Sequence, residues 1–98
     1  MNSTNIITPE QLKDKLNKKE DIFIVDLRID TNLFSPIDSA VHISATQIFD
    51  KIDLLPKNKT IVLYCYHGVD SFFLMNILVN DFGLDAYSLK GGIEAWHS

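Results

Sequence analysis

Apolar and polar residues come in blocks along this chain, and the blocks follow two different patterns. Ile22-Phe23-Ile24-Val25 and Thr60-Ile61-Val62-Leu63-Tyr64 are continuous apolar runs, the pattern of strands covered on both faces. Ile6-Ile7, Ala40-Val41-His42-Ile43 and Ala86-Tyr87-Ser88-Leu89 predict three shorter strands. Between them the spacing changes to the helical repeat. Leu12 and Leu16 give an apolar face to a short helix that Thr8-Pro9-Glu10-Gln11 opens: Thr8 as cap, Pro9 in the first helical position, Gln11 completing a capping box. Ile48, Ile52 and Leu55 predict the inward face of a helix over 45–55, ended by Pro56. The segment from about Ser71 to Phe82 is apolar nearly all round, with Asn76 and Asn80 as its polar stripe and Gly83 placed to end it. Gly91-Gly92 reads as a tight turn before a last helical turn, Ile93–His97.

Strands therefore alternate with helical segments throughout. This predicts an α/β domain over residues 1–98, with a mainly parallel central sheet of about five strands and helices on both faces. In such sheets sites form beyond the C-terminal ends of the strands, where Asp26 and Cys65 both fall.

Composition narrows the function classes. With 98 residues, 46% apolar and 22% charged, the chain suits one ordinary globular core. A net charge of −4 and the lack of a basic stripe argue against nucleic acid as a partner. Lys13, Lys15, Lys18 and Lys19 read as a solvated helix face. No apolar stretch approaches a membrane span, and the N-terminus has no basic-then-apolar signal pattern. A single cysteine cannot form an internal disulfide, so a cytoplasmic location is expected.

That cysteine carries the candidate chemistry. Cys65 follows the buried run ending at Tyr64 and precedes Tyr66-His67-Gly68-Val69-Asp70-Ser71 and then a helix. A thiol between a strand end and a helix start meets free backbone amides and the positive end of the helix dipole. That setting holds anions and makes a cysteine nucleophilic. The rival reading is a small buried hydrophobe. Cys65 and His67 do not make a metal site unless His42, His97 or distant carboxylates join them.

Four segments together resemble the single-domain rhodanese family of sulfurtransferases. They are Val25-Asp26-Leu27-Arg28, Ala40-Val41-His42-Ile43, Tyr64-Cys65-Tyr66-His67-Gly68, and Leu89-Lys90-Gly91-Gly92-Ile93-Glu94-Ala95-Trp96. The last is similar to the family's Gly-Gly-x-x-x-Trp signature. The resemblance implies that Cys65 takes a sulfane sulfur from thiosulfate or a protein persulfide donor, becomes a persulfide, and yields it to a thiol or cyanide-type acceptor. It implies no metal or organic cofactor. Tyr66, His67, Gly68, Val69, Asp70 and Ser71 would surround the sulfur, their amides forming a nest, with Gly68 allowing the tight turn. Arg28 either reaches the pocket mouth to hold a sulfonate oxygen or pairs with Asp26.

The chain departs from the family pattern in its loop, which lacks the common Arg or Lys and carries Val69 and Asp70. An acid there disfavours a thiolate and repels thiosulfate. The more favoured reading of Asp70 is a helix cap, its carboxylate taking the amide near Phe73. The family's Gly-His-Ile-Pro-Gly-Ala segment reads here as Ser35-Pro36-Ile37-Asp38-Ser39-Ala40. His67 either adds positive charge or stacks on a loop neighbour, with no carboxylate partner evident. Tyr66 offers an aromatic wall or faces solvent, and Trp96 with Ile93 plugs the C-terminal turn onto the core. A non-catalytic rhodanese-like binding or regulatory module ranks lower, because Cys65 is present. A related phosphatase or arsenate reductase ranks lower still, because Ser71 stands where an oxyanion-binding arginine would close the loop.

Overall fold

The computed structural model describes residues 4–98. Five strands, β1 (Ile6–Ile7), β2 (Ile22–Asp26), β3 (Val41–His42), β4 (Thr60–Tyr64) and β5 (Ala86–Leu89), form one sheet in the order β1-β5-β4-β2-β3. Every pairing is parallel. The two continuous apolar runs, β2 and β4, lie side by side over their full length, Ile22 opposite Thr60 through Asp26 opposite Tyr64.

Helices α1 (Pro9–Asn17), α2 (Val69–Phe82) and α3 (Gly92–Trp96) complete the layers. Side-chain alternation along the strands splits the core in two. Val25, Ile61, Leu63 and Cys65 join Leu74, Met75 and Leu78 of α2 on one face. Ile24, Val62 and Tyr64 join Leu12 of α1 and Ile93 of α3 on the other. Thr8 caps α1 as expected: its hydroxyl accepts from Gln11 N at 3.1 Å, and Gln11 Oε1 accepts from Thr8 N at 2.9 Å. Gly83 ends α2 in a left-handed conformation, φ +65°. Trp96 is half-buried against the second core cluster, with Lys13 Nζ 4.8 Å from its ring centroid.

Two expectations change. The helix over 45–55 is absent: Ser44 to Leu55 runs as successive tight turns, with a single 3₁₀ turn at Ile52–Leu54. The hydroxyl of Ser44 bonds Thr46 and Gln47, local polar contacts that compete with helix formation. Ile48 and Leu55 are buried and Ile52 is half-buried, because turns of three and of nearly four residues both return such spacings to one side. The second change is at α2, which begins at Val69 instead of Ser71 and shapes the site.

Among the described residues, no helix is long and apolar enough to cross a membrane.

Candidate active site

The chain leaves β4 at Tyr64 and turns sharply before α2, and Cys65 sits in that turn. Gly68 makes the turn possible. It is the N-cap of α2 at φ +95°, a conformation that suits glycine. A Cβ there would also stand 3.0 Å from Gly91 N. Lacking a side chain, Gly68 cannot cap the helix, and the sulfur takes over that role. Ser71 N, the amide a capping side chain would take, donates to Cys65 Sγ at 3.3 Å. Gly68 N donates to the same sulfur at 3.2 Å. The thiol in turn donates to Ser71 Oγ at 3.5 Å, and Ser71 Oγ lies 2.7 Å from Ser88 Oγ of β5. Cys65 is only 7% exposed, so a reactant reaches it only through the opening above.

Asp70 is therefore not the cap. It lies exposed in the first turn of α2 and lines the pocket over Cys65, together with Ile29, Asp30, Ala45 and Tyr66. The physical reason is that the helix already begins at Val69, so Asp70 lies inside its first turn and Phe72 N is bonded to Gly68 O at 3.2 Å. Val69 points elsewhere: it is exposed on the outer face of α2.

Arg28 resolves toward the ion pair. Its Nε and Nη2 donate to Asp26 Oδ1 and Oδ2 at 3.0 and 2.8 Å, and its Nη1 donates to the carbonyls of Leu33 and Phe34 at 2.6 and 2.9 Å. Both side chains of the pair are almost fully buried. All three guanidinium nitrogens are thus engaged within the protein, and they hold Leu33 and Phe34 in the loop whose first residues, Ile29 and Asp30, line the pocket.

Burial alone would push the Asp26 carboxyl up. Hydrogen bonds from the Arg28 side chain and backbone and from Tyr64, with the Arg28 charge, outweigh that and hold it below its ordinary value. The bond to Asp26 raises Arg28. Burial pushes the Tyr64 phenol up to about 12, and the nearby Asp26 charge adds to it.

These shifts give a prediction. Asp26→Asn leaves a buried guanidinium without its counter-charge, and a loss of about 3 kcal/mol is expected in urea unfolding at pH 7. Because the folded-state carboxyl titrates below its unfolded value, the wild-type pair contributes fully above about pH 4 and loses its contribution as pH falls through the folded value. The variant should lack this acid-limb loss. An identical acid limb in both proteins would contradict the assignment.

The remaining loop residues are placed as follows. His67 is exposed, and its Nδ1 lies 3.4 Å from Glu94 Oε1, a carboxylate partner that sequence distance concealed. Tyr66 is half-buried: its hydroxyl donates to Leu33 O at 3.5 Å, and its ring meets Phe34 edge-on at 6.2 Å. His42 and His97 donate to the carbonyls of Arg28 and Ser35 at 2.6 and 2.8 Å, apart from Cys65.

The Gly91-Gly92 turn does more than reverse the chain. It brings the free N-terminal amides of α3 onto the cysteine loop, where Ile93 N donates to Cys65 O at 2.9 Å and Glu94 N to Tyr66 O at 3.2 Å. The loop is held from below by α3 and from the side by α2. Asp30 and Ala45 were not singled out from the sequence, although each closely follows a strand end, where sites in such sheets form.

A parallel α/β sheet with a cysteine cradled at a strand-to-helix turn defines the class of protein, and comparison with known proteins gives the family. Residues 8–98 match the family model described as rhodanese-like domain, and the chain belongs to that family. It is 36% identical over 83 residues to the thiosulfate sulfurtransferase GlpE of Coxiella burnetii, covering 84% of this chain and 78% of that protein. It is 31% identical over 91 residues to the putative sulfurtransferase YtwF of Bacillus subtilis, covering 92% of this chain and 87% of that protein. The crystal structure of a rhodanese-like domain protein from Staphylococcus aureus superimposes with a TM-score of 0.86 at 32% identity, covering 95% and 91% of the two chains.

Proposed function

We propose that this protein is a sulfurtransferase that carries a sulfane sulfur as a persulfide on Cys65. The observation that carries this reading is the pair of amides, Gly68 N and Ser71 N, donating to one buried sulfur at 3.2 and 3.3 Å. Donors fixed in place before reaction stabilise negative charge on the attacking sulfur without reorganisation. In the loading step the Cys65 thiolate attacks the outer sulfur of the donor. The donor's bond to that sulfur breaks as the new S–S bond forms, and the donor remnant leaves with the electron pair, as sulfite from thiosulfate or as a thiolate from a persulfide. In the unloading step a thiol or cyanide attacks the outer sulfur, and Cys65 leaves as thiolate. The two steps are redox-neutral overall. The relatives named as sulfurtransferases support the same chemistry.

The purified protein, given a sulfane donor and cyanide, is expected to release thiocyanate in proportion to its concentration, and alkylation of Cys65 beforehand should stop it. No thiocyanate from either thiosulfate or a peptide persulfide would contradict the proposal. A phosphatase reading is disfavoured by the engagement of Arg28 with Asp26, Leu33 and Phe34, since phosphoryl transfer needs a cation on the equatorial oxygens. No Cys65-dependent hydrolysis of an aryl phosphate is expected. Turnover lost in Cys65→Ser would overturn that ranking.

A further inference from the structure

We infer that the sulfur partner of Cys65 is a protein segment, apolar at its centre and flanked by lysine or arginine, which docks across the pocket rim and along the outer face of α2. This rests on the sulfur-transfer reading above and names the substrate class for the same site.

Charge is the first observation. Among the described residues, the one basic residue lining the Cys65 pocket is Arg28, and its guanidinium is held by Asp26, Leu33 and Phe34. Two exposed carboxylates line the same pocket: Asp30, which also accepts from Asn32 N at 2.9 Å, and Asp70. Small dianions meet a repulsive opening here, whereas a cationic segment is drawn to it. Four lysines are engaged elsewhere, Lys15 with Glu20, Lys18 with Asp14, Lys59 with Asp21 and Lys13 with Trp96.

Apolar exposure is the second. Ile29, which lines the pocket, is 73% exposed, and Leu33 in the same loop 65%. On the outer face of α2, Val69 is 74% exposed and Phe73 65%. Val69, Phe73 and Ile77 recur at helical spacing and line one groove with Phe72, which starts at the residue next to Asp70. Asp81 lines the far end of this groove, about 16 Å from Asp70 by helical rise. Asn76 and Asn80 line the same groove, so the track is apolar along Val69, Phe72, Phe73 and Ile77, amide-bearing between, and acidic at each end, which is complementary to a peptide with an apolar centre and cationic flanks.

The step this partner performs is balanced without a co-reactant. The Cys65 thiolate attacks the outer sulfur of the partner's R–S–SH group. The partner's S–S bond breaks, a Cys65 S–S bond forms, the proton stays on the moved sulfur, and R–S⁻ departs.

The test compares three donors at equal concentration: thiosulfate, a synthetic peptide persulfide with leucine and phenylalanine neighbours and lysines at both ends, and the same peptide with glutamates. Loading of the whole protein is followed by intact mass, each rate being normalised to that donor's transfer to free cyanide. The lysine peptide is expected to load about tenfold faster than the glutamate peptide, with the advantage shrinking as ionic strength rises. Asp30→Asn with Asp70→Asn should narrow that gap and speed thiosulfate loading, and Phe73→Ala should slow loading from both peptides. Equal peptide rates, or thiosulfate loading as fast as the lysine peptide and unchanged by the two Asn substitutions, would overturn the inference while leaving sulfur transfer intact. Loading by none of the three would overturn sulfur transfer itself.

Discussion

Cys65→Ser is expected to lower sulfur transfer by roughly a thousandfold or more, the scale of loss when a covalent nucleophile is removed. The serine hydroxyl can still accept from Gly68 N and Ser71 N, the two amides that hold the sulfur, so the cap of α2 survives and the thermal midpoint should hardly move. What disappears is the nucleophile, since a hydroxyl is far less ionised and far less attracted to sulfur than a thiolate. Thiocyanate release measured beside a melting curve separates the two effects. Transfer near the wild-type rate in a folded Cys65→Ser protein would end the mechanism. Lost activity together with lost folding would show instead that the thiol is chiefly a structural group.

The second large effect is expected at a glycine outside the cysteine loop. A Cβ on Gly92 would lie 2.3 Å from Tyr66 O, 2.5 Å from Tyr66 C and 2.6 Å from Cys65 O. These are backbone atoms of the cysteine loop, and they cannot rotate aside as a flexible side chain would. Gly92 is also at φ +66°, strained for an L-residue. Gly92→Ala must push α3 away from the loop and break the bonds from Ile93 N and Glu94 N to Cys65 O and Tyr66 O. A loss of about 3 kcal/mol is expected from overpacking and backbone strain together, with a fall in sulfur loading beyond what unfolding explains.

Gly83→Ala is the matched control, with a similar φ of +65° and nothing within 4 Å of the added carbon. It should lose only about 1 kcal/mol, for conformation alone. Equal losses at the two positions would show that the clamp on the cysteine loop carries no weight.

These two sites also mark how far the chain was legible. The strands β2 and β4 were plain, because a parallel sheet buried on both faces leaves little room for a polar residue and so writes itself as an apolar run. The α1 cap was plain because Thr8 and Gln11 are three residues apart and their bonds are local. The start of α2 was not. Asp70 looked like the cap because capping rules weigh side-chain oxygens close to the helix start. The acceptor is instead a sulfur six residues before the amide it takes, brought there by the left-handed turn at Gly68.

The partners that tertiary structure supplies were hidden for the same reason. Glu94 faces His67, Ser88 faces Ser71, and Asp30 shares the pocket with Asp70, each joining segments that sequence spacing does not connect. The segment 45–55 failed in the opposite sense. Its inward residues were right and its helix was wrong, since the apolar spacing records which side is buried and does not distinguish an α-helix from a chain of tight turns. Gly91-Gly92 read as a turn, and Gly91 is in one while Gly92 already opens α3; the pair's larger effect depends on how near α3 comes to the loop, a distance only the fold sets.

The most direct test of the central claim is the intact mass of the reduced protein after exposure to a sulfane donor and then to cyanide, with Cys65→Ser alongside and both thiosulfate and the lysine-flanked peptide persulfide as donors. The expected result is the gain of one sulfur atom on Cys65 in the wild-type protein alone, removed by cyanide with release of thiocyanate. Sulfur uptake that persists in Cys65→Ser, or no uptake by the wild-type protein from either donor, would contradict it.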